Sequence, residues 1–331
     1  MRFITLLFFV SVSAAYGQDS LYYFYADKDS VMVGVRNQHH KVIISPVEYA
    51  LYVDERLAIK DETIEMSYIK SPINGIKNSP VIPSGAVYNR NGDFLYSAQL
   101  FDNGMDYWEE GLRRYVEDNK IGFVNRSGEK VLSAKWDFVS SFHYGYATVY
   151  EGNLYRKYDS GGEYWGIGGD TVRYLVNQQG ERIYPREMKN HPKDYFFQGK
   201  YYPYPFNYSE EEKAVLSILD KDIIGISILL FGNAYKYSYS PVQLEIIERP
   251  SSFRNYYLIT AYDKDKKTAY NGELFVEDNN VFIFDYDQNK IPLREAMVNF
   301  LEVFLAFKDR DISPETIKVA EQELKRLKSH P

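Results

Sequence analysis

Carboxylates and aromatic rings occur side by side near the middle of the chain. Residues 106–110 read Asp-Tyr-Trp-Glu-Glu, so Asp106, Glu109 and Glu110 flank Tyr107 and Trp108. Glycosidases use carboxyl groups on either side of the scissile bond, and an aromatic ring beside them can stack on a sugar. The segment therefore supports glycan hydrolysis as one hypothesis. Charged side chains usually face water, however, and we favour solvated acids over catalytic ones here.

Other catalytic patterns are absent from the sequence. It contains no Gly-x-Ser-x-Gly, and the absence of cysteine excludes thiol chemistry. Residues 166–170 are rich in glycine but have neither the lysine nor the strand-to-helix setting of a phosphate-binding loop. We interpret them as a surface loop, and we expect a protein that is not an enzyme.

Metal ligands are sparse as well. Of five histidines only His39 and His40 are close in sequence, and adjacent side chains on a strand point to opposite faces. Asp285 and Asn289 fall at ligand positions of a calcium-binding loop, but Lys290 stands where such a loop requires glycine. Turn-forming residues before a helix explain this segment better. We therefore expect no metal and no other cofactor.

An aromatic binding face is the stronger hypothesis. The chain has 32 Tyr and 20 Phe, and tyrosine suits a sheet with one dry and one wet face. Aromatic side chains with polar tips favour interfaces with proteins or sugars, although we expect about half of the candidates to be core residues. The candidates are Tyr107, Trp108, Tyr144, Tyr146, Tyr155, Tyr158, Tyr164 and Trp165.

The elements that would position these residues form an imperfect repeat. Asn-Arg-x-Gly begins at Asn89 and again at Asn125, an offset of 36, and Gly111 recurs as Gly145, an offset of 34. Looser copies surround Asn37 and Asn177. Asn and Gly supply turn chemistry, so each copy predicts a β-hairpin followed by a further strand. Such a unit cannot bury its apolar face alone, and neighbouring units are expected to stack.

The best copy, from Lys120 to Val149, resembles the WG-repeat family, and the resemblance covers roughly residues 31–185. Ile121 and Val33 stand where the family has its tryptophan, and a literal Trp165-Gly166 precedes the last copy. The resemblance implies stacked β-hairpins with extracytoplasmic or surface binding roles of undefined ligand. It brings no catalytic residues.

The second half of the chain has a different pattern. Residues 186–208, rich in proline and aromatics, are interpreted as a connector. Ser209-Glu-Glu-Glu212 predicts a helix cap, and strand-like runs follow between residues 242 and 284. Two amphipathic helices end the chain, and Ser313-Pro314 predicts the cap of the last one. The predicted fold is therefore a mainly β repeat domain over residues 18–185, followed by a smaller α+β domain over residues 209–331 that resembles no family known to us.

The N-terminus predicts export. Arg2, an apolar run from Phe3 to Ala15 and small residues before Gln18 are typical of a secretory signal peptide over residues 1–17. We expect cleavage between Gly17 and Gln18, with cleavage after Ala15 as an alternative. The apolar run is shorter than the roughly 20 residues of a membrane-spanning helix. The sequence contains no cysteine, so we expect no lipid anchor attached to an N-terminal cysteine.

The net charge of the chain limits the classes of partner that we expect. The chain carries 46 acidic and 39 basic residues, a net charge of −7, which argues against nucleic acid and anionic membranes as partners. We therefore expect an exported, periplasmic or extracellular, non-catalytic binding protein of the bacterial cell envelope. Its partner would be an envelope protein or glycan. We expect the protein itself to have neither a transmembrane segment nor a lipid anchor. The alternative is a hydrolase of envelope glycan or peptidoglycan.

Overall fold

The computed structural model describes residues 19–28, 31–49, 53–66, 82, 84–101, 104–158, 165–231, 240–285, 289–307 and 312–329. These residues form a mainly β structure of antiparallel sheets, with helices in the C-terminal region. The mainly β character predicted from the sequence is confirmed. The predicted signal peptide, including Gly17 and Gln18, lies outside the described residues.

The N-terminal half is built from hairpins. The strands are β1 Leu21–Tyr25, β2 Met32–Asn37, β3 Val42–Tyr49, β4 Thr63–Met66, β5 Ser84–Asn89, β6 Phe94–Phe101, β7 Gly104–Met105, β8 Leu112–Glu117, β9 Lys120–Asn125 and β10 Lys130–Trp136. The first sheet has the order β1-β2-β3 and the second has the order β10-β9-β8-β6-β5-β4, with β7 against β6. The strands bury apolar side chains between them, and Val33, Ile64, Val87 and Phe123 are almost fully buried.

The predicted Asn-x-x-Gly turns are confirmed. Asn89, Asn125 and Asn177 each end a strand, and the side-chain Oδ1 of each accepts a backbone N–H from four residues later at 2.9 Å. The glycines that follow at positions 92, 128 and 180 have φ of 89°, 86° and 76°, a region that side chains disfavour. The asparagine side chain thus accepts a backbone N–H group of the turn and stabilises the turn conformation.

A long hairpin corrects the predicted surface loop at residues 166–170. They belong to β13 (Trp165–Asn177), which pairs with β12 (Tyr146–Tyr158) along its whole length, between β11 (Phe138–Val139) and β14 (Arg182–Ile183). Gly169 allows a close approach of the two backbones, because a Cβ at this position would lie 2.1 Å from the carbonyl oxygen of Asn153. Glycine here permits a strand where its composition suggested a loop.

The predicted connector contains a hairpin of its own. Strand β15 (Tyr195–Phe197) pairs with β16 (Lys200–Tyr202), and the backbone of Arg186 bonds both ways with that of Tyr201. The ring of Tyr195 stacks on that of Tyr146 at 5.9 Å. The segment therefore packs against β12.

The C-terminal region combines a meander sheet with helices. The elements are α1 Glu210–Asp220, α2 Ile223–Phe231, β17 Gln243–Glu248, β18 Tyr257–Tyr262, β19 Thr268–Glu277, β20 Asn280–Phe284, β21 Lys290–Pro292, α3 Leu293–Ala306 and α4 Pro314–Ser329. The sheet has the order β17-β18-β19-β20-β21, and helices α1 to α4 pack with it around a core that includes Ile226, Ile259, Leu274, Met297 and Leu301. No helix in the described part of the chain is long and apolar enough to cross a membrane.

The helix starts agree with the sequence prediction. At α1 the Ser209 side chain accepts from the backbone N–H of Glu212, and the Glu212 carboxylate accepts from that of Ser209, which confirms the predicted capping box. At α4 the Ser313 hydroxyl oxygen accepts from the backbone N–H of Thr316 at 3.1 Å. Both starts rest on contacts within four residues, which explains why a local pattern predicts them.

Candidate functional site

A pair of equivalent turns forms the N-terminal side of the site. Residues 109–112 and 143–146 are each closed by backbone hydrogen bonds in both directions between their first and last residues, at 2.7–3.1 Å. The central residues have positive φ in both turns, 53° and 76° at Glu110 and Gly111, 51° and 73° at Tyr144 and Gly145. This is the pattern of a type I′ hairpin turn. Positive φ at Glu110 and Tyr144 is strained, and such residues persist only where surrounding contacts hold them.

Glu110 is held by contacts from two directions. Its Oε2 accepts the backbone N–H of Gly145 at 2.8 Å, and its Oε1 accepts the hydroxyl of Tyr262, on β18, at 2.7 Å. Glu110 is only 7% exposed and Tyr262 is fully buried. Burial raises the pKa of Glu110 to about 7, and the hydrogen bonds from Tyr262 and Gly145 offset that rise only in part. Glu110 therefore joins both turns to the C-terminal sheet.

His143 makes a second link across the same boundary. Its Nε2 lies 2.6 Å from the backbone carbonyl oxygen of Lys266, and because a carbonyl oxygen only accepts, Nε2 carries the proton. Burial lowers the pKa of His143, which favours the neutral ring. The Nδ1 atom of that tautomer is an acceptor. The ring also packs edge-on against Tyr262 at 5.8 Å.

A cleft of about 520 Å³ opens between these turns and the C-terminal sheet. Its volume lies within the range of small-ligand sites, roughly 300–1,000 Å³. Glu110 and Tyr262 form its buried base, whereas Tyr107, 62% exposed, lies at its mouth. The N-terminal side is lined by Tyr107, Trp108, Glu109, Glu110 and His143. The C-terminal side is lined by Ile247, Thr260, Tyr262, Thr268, Gly272 and Glu273.

Trp108 is part of the cleft wall and is itself covered by cations. The guanidinium carbons of Arg113 and Arg126 lie 4.2 and 4.9 Å from the indole centroid. Arg113 pairs with Glu65 at 2.5 Å, and the Nε of Arg126 donates to both oxygens of Glu248 at 2.7 and 2.8 Å. These contacts hold the half-buried indole in place. Tyr107 therefore offers a ligand the more accessible ring.

The three acids predicted from the sequence have different surroundings. Asp106 is buried and receives hydrogen bonds from the Arg114 guanidinium at 2.5 and 2.8 Å, so it does not line the cleft. Glu109 lines the cleft with its side chain exposed. Partial burial raises the pKa of Glu109, and the negative charges of Asp106 and Glu273 add to the rise. The structure thus brings Glu109 and Glu110 together with Glu273, a residue that no sequence pattern indicated.

Tyr144 and Tyr146 are not among the residues described as lining the cleft. Tyr144 and Tyr146 are 0% and 4% exposed. The Tyr144 hydroxyl donates to the carbonyl oxygen of Lys193 at 2.8 Å, and that of Tyr146 donates to the carbonyl oxygen of Pro203. Both tyrosines therefore belong to the buried packing around the turn at residues 143–146.

The remaining candidates lie on or near the long hairpin. Tyr155 is 47% exposed on β12. Tyr164 lies outside the described residues, and the structure describes the backbone of Tyr158 and Trp165 but not their side chains. Of the aromatic candidates predicted from the sequence, the described cleft lining contains Tyr107 and Trp108.

Asp285 and Asn289, which fall at ligand positions of a calcium-binding loop in the sequence, contact each other in a turn. Among the described residues, no group of three or more His, Asp or Glu side chains is placed to hold a metal ion. The carboxylate of Asp285 accepts the backbone and side-chain N–H groups of Asn289 at 2.7 and 3.0 Å. This is the same turn chemistry as in the Asn-x-x-Gly hairpins.

Comparison with known protein families identifies one part of the chain. A family model described as a WG containing repeat matches residues 121–155. This segment is a WG repeat. It runs from β9 into β12 and contains the turn at residues 143–146, so the WG repeat supplies His143 to the cleft and Gly145 to Glu110. No curated protein and no solved structure matches the chain.

Proposed function

We propose that the chain is an exported, non-catalytic binding protein of the bacterial cell envelope, and that the cleft holds its ligand. The observation that carries the proposal is the cleft itself, about 520 Å³ in volume and lined by exposed Tyr107, the carboxylates of Glu109 and Glu273 and the hydroxyl of Thr260. A concave site with a few convergent polar groups is the usual form of a ligand site. Export is supported by the signal-like pattern of residues 1–17.

The contacts of the acids favour binding over hydrolysis. A general acid must direct its proton at the substrate, but both oxygens of Glu110 are occupied by donors, Tyr262 and the backbone of Gly145. Asp106 is neutralised by Arg114. Glu109 and Glu273 line the cleft with exposed side chains, where carboxylates serve as acceptors for ligand hydroxyl or ammonium groups.

Envelope glycan hydrolysis is the second candidate. The observation in its favour is a carboxyl group with a pKa raised to about 7 at the base of a cleft, since general acids are tuned in this way. Release of reducing ends from glycan by the wild-type protein, lost in Glu110→Gln, would support this candidate and contradict the proposal of a non-catalytic protein.

The proposal also includes the repeat architecture. Residues 18–185 are proposed to be stacked WG-like hairpin units, residues 186–208 a connector, and residues 209–331 a second, α+β unit. The support is the recurrence of the same Asn-x-x-Gly turn at Asn89, Asn125 and Asn177, and of the same type I′ turn 34 residues apart. In this arrangement, equivalent turns of successive units lie together and form one side of the cleft.

The test is a binding screen with the protein lacking residues 1–17. Labelled protein is screened against a glycan array and, by pull-down, against envelope extracts, and the variant Tyr107→Ala is compared with Tyr184→Ala. Tyr184 is 72% exposed and is not among the cleft-lining residues described, so it is a matched control. We expect a retained ligand whose binding weakens roughly tenfold in Tyr107→Ala only, about the effect of removing one well-placed aromatic contact. A ligand that binds both variants equally would place recognition outside the cleft.

A further inference from the structure

We infer that the cleft selects ligands that carry a free ammonium group, and in particular glycans with amino sugars whose amines are not acetylated. This inference rests on the proposed function, because it names the class of ligand that the cleft binds. The feature that leads to it is the balance of charge on the cleft walls.

The charged side chains that line the cleft are all acidic. Glu109, Glu110 and Glu273 contribute carboxyl groups, and none of the lining residues that the structure describes is a lysine or an arginine. His143 adds no positive charge when its ring is neutral, because burial lowers its pKa. A concave surface lined by one sign of charge focuses its potential and attracts the opposite sign.

The nearest guanidinium groups are engaged with other acids. Arg126 donates to both oxygens of Glu248, and Arg254 lies within 3.3 Å of Glu248 and of Glu62. Arg114, close in sequence to Glu109, pairs with the buried carboxylate of Asp106. The acids that these arginines pair with are not among the described residues of the cleft lining. Burial raises the pKa of Glu273, and the positive charges of Arg126 and Arg254 offset that rise in part. Burial raises the pKa of Glu109 most, and repulsion from Asp106 and then from Glu273 adds to the rise. A bound cation would relieve the repulsion between Glu109 and Glu273.

The remaining groups fit an amine on a sugar. An ammonium group has three donors and no acceptor, so it needs a site rich in acceptors, and the cleft offers the two exposed carboxylates of Glu109 and Glu273. Hydroxyl groups of Thr260 and Thr268 suit sugar hydroxyls. The exposed ring of Tyr107 can stack on a pyranose or contact the cation through its π face.

The experiment compares two oligosaccharides that differ in charge. A glucosamine tetrasaccharide and an N-acetylglucosamine tetrasaccharide are titrated separately into the protein lacking residues 1–17, by isothermal calorimetry at low and at high salt. We expect the glucosamine form to bind at least ~10-fold more tightly at low salt, and this preference to shrink at high salt as ions screen the carboxylates.

Substitution locates the effect in the cleft. The double variant Glu109→Gln, Glu273→Gln removes both exposed carboxylates and is expected to weaken binding of the glucosamine form by roughly 10-fold, since each exposed ion pair is worth a few-fold in affinity. It should leave binding of the acetylated form nearly unchanged. The matched control is Glu211→Gln, an exposed acid on α1 outside the described cleft lining. Thermal melting of each variant verifies that it is folded.

The outcomes separate the inference from the proposed function. Equal affinity for the two oligosaccharides, with Tyr107→Ala weakening both, would overturn the preference for ammonium but leave a glycan-binding cleft. Absence of heat from either oligosaccharide at millimolar concentration would overturn both the preference and the cleft as a glycan site. Preference for the amine that persists unchanged in the double variant would also overturn the inference, because the two carboxylates would then not be its source.

Discussion

Replacing Glu110 with glutamine should remove a pH dependence of stability that the burial of this carboxyl group creates. The folded state holds Glu110 in a base that is 7% exposed, whereas in the unfolded chain the same group is in water. Glutamine has nearly the same shape and no titration. The hydroxyl of Tyr262 can rotate to accept from the new amide, since a hydroxyl both donates and accepts.

The sign and size follow from the pKa. Between the ordinary value of 4.5 and about 7, the folded protein keeps a proton on Glu110 that the unfolded chain has already released. Stability from this group is therefore greatest below about pH 4.5 and falls as pH rises towards 7. One pKa unit corresponds to about 1.4 kcal/mol, so a rise from 4.5 to about 7 lowers the free energy of unfolding by up to about 3 kcal/mol.

The assay is urea unfolding of wild type and Glu110→Gln at a series of pH values from about 4.5 to 8. The two proteins are expected to have similar free energies of unfolding at the acidic end, where the carboxyl group is neutral. The wild type should lose stability relative to the variant towards neutral pH. Because all other titrating groups are shared, the difference between the two curves isolates Glu110. Parallel curves would refute the idea that a buried, proton-binding carboxyl group links the turns to the C-terminal sheet, and Glu211→Gln is the control substitution.

Three further substitutions test the contacts that build the site, each by the free energy of unfolding in urea. Gly145→Ala is expected to lower the free energy of unfolding by roughly 2 kcal/mol or more, because φ is 73° and the new Cβ would lie 2.5 Å from a proline side chain. Gly166 has open space around it, so Gly166→Ala should change this free energy little. Arg114→Ala should lower the free energy of unfolding by about 3–5 kcal/mol, because it leaves the buried carboxylate of Asp106 unpaired. Its control, Lys130→Ala, removes an exposed ion pair with Glu117, which contributes under about 1 kcal/mol. Ser209→Ala should cost about 1 kcal/mol through loss of the helix cap. A small effect at position 145 or 114, or none at 209, would contradict the corresponding contact.

Local patterns were sufficient to predict most of the elements. The turns at Asn89 and Asn125 and the start of α1 at Ser209 depend on hydrogen bonds within four residues, so the information lies within the pattern itself. The glycines of residues 166–170 show the limit of this approach. Their composition favours a loop, but pairing with residues 153–157 across the hairpin makes them a strand, and that partner is not part of the local pattern.

The sequence patterns predicted residues on only one side of the cleft, the N-terminal side. The acids at Glu109 and Glu110 were noticed because they adjoin aromatic residues, but their surroundings depend on partners far along the chain. Glu110 and Tyr262 are 152 positions apart, and His143 and Lys266 are 123 positions apart. No periodicity in the sequence marks Tyr262 or Glu273 as their neighbours. The distinct roles of adjacent acids therefore follow from tertiary packing and not from spacing.

The equivalent turns explain why the cleft requires both halves of the described structure. Each turn places a residue other than glycine at positive φ, Glu110 in one and Tyr144 in the other, and each of these residues bonds to the C-terminal sheet, Glu110 to Tyr262 and Tyr144 to Gln243. A strained conformation persists where external contacts hold it. The C-terminal sheet thus stabilises positive φ at two positions where a type I′ turn usually has glycine or asparagine. In return, the same turns direct Glu109 and His143 towards that sheet, so the lining of the cleft and the attachment of the two halves arise from one set of hydrogen bonds.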